Sequence, residues 1–170
     1  MLMPGQKTPE LTVPLVKGGT WSLADQNPEN FTLIVFYRGL HCPICKPYLA
    51  GIQDSLGKLE GLGVNTIAIS TDTQDRAEQT TNDWDINALD LGYDLSIEKA
   101  REWGLYISAG IGEAEPEVFA EPGLFLVKTD GTTYFTSVQN MPFARPKVEE
   151  VLFGLGYVIE NNYPARGEKV

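Results

Sequence analysis

The run Thr32-Leu33-Ile34-Val35-Phe36-Tyr37, then Arg38-Gly39-Leu40-His41, then Cys42-Pro43-Ile44-Cys45, decides how this chain reads. The first segment is β-branched, aliphatic and aromatic without the alternation of a half-exposed strand, which predicts a central strand buried on both faces. Beyond the cysteines, Ile44, Tyr48, Leu49, Ile52, Leu56 and Leu59 recur at helical spacing and predict one amphipathic helix closed by Gly61 and Gly63. Asn65 to Ser70 is a second β-rich run, so Thr32 to Ser70 forms a βαβ unit with the cysteines at its first strand-to-helix junction.

Working outward, Leu11–Val16 and Thr20–Leu23 around Gly18-Gly19 predict an N-terminal hairpin. Thr71-Asp72-Thr73-Gln74 resembles a capping box opening a helix toward Asn82. Residues 83–95 give no firm signal. Ser96–Trp103 predicts a short helix stopped by Gly104, and Tyr106–Glu121 a surface loop able to cover a site. Asp130-Gly131 between two apolar runs predicts an antiparallel hairpin. Pro146 suits the first turn of a last helix striped by Val148, Val151, Leu152, Leu155 and Ile159. The order predicts an α/β fold, a mixed central sheet with helices on both faces and an N-terminal hairpin extension. We expect one domain over 1–170, with 1–30 as the extension and 160–170 as a tail.

Composition narrows the function. At 170 residues and 42% hydrophobic content the chain suits one core. A formal net charge of −10 disfavours nucleic acid and anionic membrane surfaces as partners. The absence of a long apolar run or a signal-like N-terminus predicts a cytoplasmic location. Trp21, Trp84, Trp103, Phe153 and Tyr157 are assigned to the core in preference to an interface, and a homodimer stays open.

There are only two cysteines, three residues apart. On the first turn of a helix such residues are neighbours, near enough for their sulfurs to bond with little backbone movement. A helix N-terminus favours the thiolate, the reactive form of the side chain. His41 and Lys46 flank the pair as candidate positive charges. The competing readings are two inert buried thiols, a metal site at His41, Cys42 and Cys45 that lacks a fourth ligand, and a redox-inactive binding or regulatory module. No cofactor is expected.

The segment Phe36-Tyr37-Arg38-Gly39-Leu40-His41-Cys42-Pro43-Ile44-Cys45 resembles the active-site loop of peroxiredoxin-like redoxins in the alkyl hydroperoxide reductase and thiol-specific antioxidant family. The Pro4–Pro9 opening, the strand and turn of Phe125–Gly131, and Arg145-Pro146 before the last helix extend the likeness to about Ile159. The resemblance implies a thioredoxin-like fold, thiol chemistry on a hydroperoxide or disulfide substrate, and an external thiol reductant of thioredoxin or glutathione type. The proline and threonine that the family sets before its peroxide-reactive cysteine fall on Arg38 and Cys42, with the cysteine itself at Cys45. The arginine expected before the Leu124 strand falls on Glu121, leaving Arg38 or Arg145 to supply positive charge. A second pattern, that of thioredoxin and glutaredoxin, implies instead that Cys42 is an exposed nucleophile, Cys45 resolves, and Pro122 is a cis-proline facing the pair.

Overall fold

The computed structural model describes residues 2–169. Its centre is β3 (Phe31–Phe36), where every residue is buried as the unbroken apolar run requires. It pairs in parallel with β4 (Val64–Ile69) and antiparallel with β8 (Gly123–Lys128). With β5 (Asp90–Gly92) outside β4 and β9 (Thr133–Val138) outside β8, the sheet runs β5-β4-β3-β8-β9. The expected mixed sheet is thus present, and Gly131, at φ 76°, makes the turn between β8 and β9.

Alternate residues of β3 feed two apolar layers. Leu33 and Val35, with Tyr37 just beyond the strand, meet Leu49, Ile52, Leu59 and Leu155 from α1 (Cys45–Asp54), α2 (Leu56–Gly61) and α5 (Val148–Glu160). Ile34 and Phe36 meet Leu11, Val13 and Trp21 of the N-terminal segment and Ala100 and Trp103 at α4 (Ile97–Glu102). Each buried Leu, Ile, Val or Phe side chain contributes about 1.5–3 kcal/mol, so both layers fix the end of β3 from which the cysteine loop departs. The N-terminal hairpin forms as expected, with β1 (Thr12–Pro14) antiparallel to β2 (Thr20–Ser22). Among the described residues no helix is long and apolar enough to cross a membrane.

Several expectations are corrected. The single helix after the cysteines is two, because the Ser55 hydroxyl donates to the Gly51 carbonyl where α1 ends, an alternative to the helical ladder. The polar helix α3 (Gln74–Trp84) starts from Thr73, without a capping box at Thr71. Tyr106–Glu121 is not all loop: β6 (Ile107–Ala109) and β7 (Val118–Ala120) form an antiparallel hairpin. Each has only three residues, too few to show periodicity against the Gly, Glu and Pro of the tip. Pro146 precedes α5, whose N-cap is Lys147. Trp21, Trp84 and Trp103 are core, but Phe153 is 80% and Tyr157 52% exposed on α5, against the core assignment.

Candidate active site

The cysteine loop leaves the end of β3 and turns at Gly39, whose φ is +124°. A Cβ there would lie 2.6–2.7 Å from the carboxylate atoms of Asp72, which follows β4, the neighbouring strand. Asp72 is buried and accepts from the Leu40 amide (2.7 Å) and from Arg76 Nε (2.9 Å). One carboxylate therefore holds the loop and is itself held from α3. The Cys42 amide donates to the Gly39 carbonyl (3.0 Å), and the Cys45 amide meets both the Cys42 carbonyl (3.1 Å) and Cys42 Sγ (3.2 Å).

Cys42 and Cys45 are joined as a disulfide with their Cα atoms 5.3 Å apart, inside the range a relaxed bridge adopts. Cys45 is the first residue of α1, so the bond closes with the helix intact. Pro47 is then the third helical residue, where its missing N–H has no intrahelical partner to lose. Both cysteines have zero exposure. In the disulfide form, Cys42 is therefore buried, not exposed as expected.

Arg145, from the segment before α5, lies over the pair. Its Nη1 is 3.5 Å from Cys45 Sγ, its Nη2 donates to the Ile44 carbonyl (3.1 Å), and its guanidinium packs 4.2 Å from the Tyr48 ring centre. Burial draws the Arg145 pKa below its ordinary value, the Tyr48 hydroxyl opposes that, and the Arg38 charge adds to it. An arginine nevertheless keeps its proton at neutral pH. The Tyr48 hydroxyl donates to the Pro146 carbonyl (2.9 Å), and burial pushes its pKa up to about 12.

Arg38 is on the other side. Continuing the register of β3 and β8 from Phe36 opposite Gly123 sets it across from Glu121. Its Nε is 3.3 Å from Glu121 Oε2, its Nη2 is 3.5 Å from Glu115 Oε1, and it stacks 4.7 Å from the Phe119 ring centre. Ser108 Oγ donates to Glu121 Oε1 (2.6 Å). Arg76 Nη2 also reaches the Ala114 carbonyl (3.3 Å), so Arg38 and Arg76 both fasten the β6–β7 tip beside the cysteine loop. The sequence reading missed Asp72, Glu115 and Tyr48; Asp72, just past the strand beside the central one, had a signal in its position.

Three supporting roles change. The His41 ring packs 4.5 Å from that of Phe119, and its pKa is lowered by burial and then by Arg38, so at neutral pH it is uncharged and supplies no positive charge. Lys46 gives its ammonium to the Asp83 carbonyl (3.0 Å). The Glu121–Pro122 bond is not cis, since no cis peptide occurs among the described residues, and this corrects the cis-proline expectation for Pro122. It is buried and its carbonyl accepts from the Gln139 amide (2.9 Å), an ordinary lead into β8. Among the described residues no three His, Cys, Asp or Glu side chains are gathered as for a metal ion.

Solved structures of the same fold include the peroxidoxin BcpB of Mycobacterium tuberculosis, at TM-score 0.72 and 14% identity over 96% of this chain and 99% of that one. Reduced Prx3 in complex with H2O2 from Vibrio vulnificus aligns at 0.75 and 16% identity, over 91% and 99%. At such identities the likeness shows the thioredoxin-like fold alone. In sequence, a protein of Mycobacterium tuberculosis named as a peroxiredoxin, found in two strains, is 30% identical over 105 residues, 62% of this chain. The match spans 66% of that relative's length, just under two thirds. The AhpC/TSA family model matches residues 4–135, most of the strands and the whole cysteine loop. This chain belongs to the AhpC/TSA family.

Proposed function

We propose that the chain is a thiol-dependent peroxidase in which Cys45 attacks the hydroperoxide and Cys42 resolves the product. The observation that carries this is the Arg145 guanidinium on Cys45 Sγ, at the first residue of α1. A half-buried cation and a helix N-terminus both favour the thiolate at Cys45. The Cys45 thiolate attacks the terminal oxygen of ROOH, the O–O bond breaks, and ROH leaves with a proton while Cys45 becomes a sulfenic acid. Cys42 attacks that sulfur, water departs, and the disulfide forms with its Cα partner 5.3 Å away. Two equivalents of an external thiol then return both cysteines to the reduced form.

Burial of Cys42 counts against its serving as the nucleophile in exchange with large disulfides, because neither sulfur is presented to a protein surface. A reversible disulfide without a second bridge also suits a reducing, cytoplasmic setting. The exposed Phe153 and Tyr157 make α5 the face on which a homodimer would form.

Separate cysteine replacements test the assignment. Mixed with stoichiometric peroxide and followed by rapid quench and mass spectrometry, C42S should accumulate a single oxygen on Cys45 at near the wild-type rate. C45S should react no faster than a free thiol. Loss of the first step in C42S but not C45S would reverse the roles and defeat the proposal.

A further inference from the structure

The reductant has to reach a disulfide with no exposed sulfur. On one side the β6–β7 tip is fastened by Glu115 to Arg38 and by its Ala114 carbonyl to Arg76. On the other lies a shallow, open groove of about 440 Å³ between α1 and the segment before α5, lined by Ile44, Tyr48 and Phe143 with Arg145 and Lys147 along it. Arg145 spans from that groove to Cys45 Sγ. In a chain of net charge −10, these two cations face a single acidic lining residue, Glu149.

Resting on the reading of Cys42–Cys45 as a reversible pair, we propose that this groove binds the reductant and that the reductant is a low-molecular-weight thiol bearing a carboxylate. Thiol–disulfide exchange needs the attacking sulfur in line with the S–S bond, and a thiol on a slender chain needs less of the covering side chains to move than a protein does before it reaches a sulfur with no exposure. The carboxylate is matched by Lys147 and Arg145. Its charge-assisted pairing with the guanidinium is stronger than the 3.5 Å contact to sulfur, so binding draws Arg145 off Cys45 and opens the bond to attack. The incoming thiolate bonds to Cys45 Sγ and the S–S bond breaks, leaving Cys42 as a thiolate that takes a proton from solvent. A second molecule of the thiol attacks the mixed disulfide and frees Cys45, so that two thiols are oxidised to one disulfide as the protein gains two electrons.

The test starts from purified disulfide-form protein and follows its reduction by 3-mercaptopropionate, 2-mercaptoethanol and cysteamine, each rate corrected for its thiolate fraction. The expected order is carboxylate, neutral, ammonium, with at least a fivefold gap between the first two that shrinks in 0.5 M NaCl. K147E and K147Q should lower the carboxylate-to-neutral ratio at least threefold, and K147R should keep it. Equal corrected rates would overturn the proposal. So would rapid reduction by a thioredoxin-type protein combined with no charge ordering among the small thiols. Because no peroxide is used, charge ordering in a protein that peroxide oxidises only slowly would sink the peroxidase reading and leave this one standing.

Discussion

Replacing Gly39 with alanine puts a methyl group where Asp72 already is. The residue must hold φ +124°, a region an L side chain occupies at a cost of about 1–3 kcal/mol. Its Cβ would also lie 2.6–2.7 Å from the Asp72 carboxylate, whose side chain is fully buried. Moving that group weakens its bonds to the Leu40 amide and Arg76, and a charged hydrogen bond is worth roughly 1.5–3 kcal/mol. G39A should therefore lose ~3–5 kcal/mol in equilibrium urea unfolding of the disulfide form. For a chain of this length that corresponds to a Tm lower by roughly 6–20 °C. The same variant should form the disulfide more slowly under peroxide, because the loop carrying Cys42 shifts. In a D72A background the clash is absent, so the added cost of G39A should fall by about 1 kcal/mol or more. A G39A protein within about 0.5 kcal/mol of wild type, or the same cost in both backgrounds, would refute the packing account of the loop.

R145M keeps much of the side-chain volume and removes the charge on Cys45 Sγ; loss of a charge-assisted contact worth about 1.5–3 kcal/mol should slow the first oxidation step by roughly 10- to 150-fold in stopped-flow assays. Tyr48→Phe removes the hydrogen bond to the Pro146 carbonyl and should cost about 0.5–1.5 kcal/mol in urea unfolding, while a spectrophotometric titration of wild type should show one phenol ionising only near pH 12. His41 has a lowered pKa in the folded state, so the unfolded chain binds its proton first as pH falls through 6.5. Its contribution to stability is complete above that value and is lost toward the folded pKa; H41N should flatten this acid-side slope, and a His41 NMR titration at or above 6.5 would contradict it.

What was legible in the sequence follows from how locally each feature is determined. β3 declares itself because every residue is buried, and the cysteine pair because both its spacing and its place after that strand are written in consecutive residues. The hairpin at Gly131 is visible for the same reason: one φ of 76° needs one glycine. By contrast, the hairpin of β6 and β7 is made of three-residue strands held by pairing across nine to thirteen positions, which no short window displays. The exposure expected for Cys42 failed because the loop folds it into the apolar layer with Tyr37, Leu49 and Trp84, the last about forty residues further along the chain. His41 reads as a charge in sequence and is neutral in the structure, since its surroundings are Phe119 and Arg38. Arg145 was a candidate on resemblance to the segment before the last helix, but only the fold brings it to Cys45.

Arg38 and Glu121 face one another across adjacent strands, and that arrangement constrains how such a chain can change over generations. Removing either partner leaves the other largely cut off from water with only Glu115 or Ser108 to compensate, a loss of up to about 3–5 kcal/mol out of the 5–15 kcal/mol a domain usually has. Lineages should therefore exchange the two positions together, or by way of an uncharged residue at both.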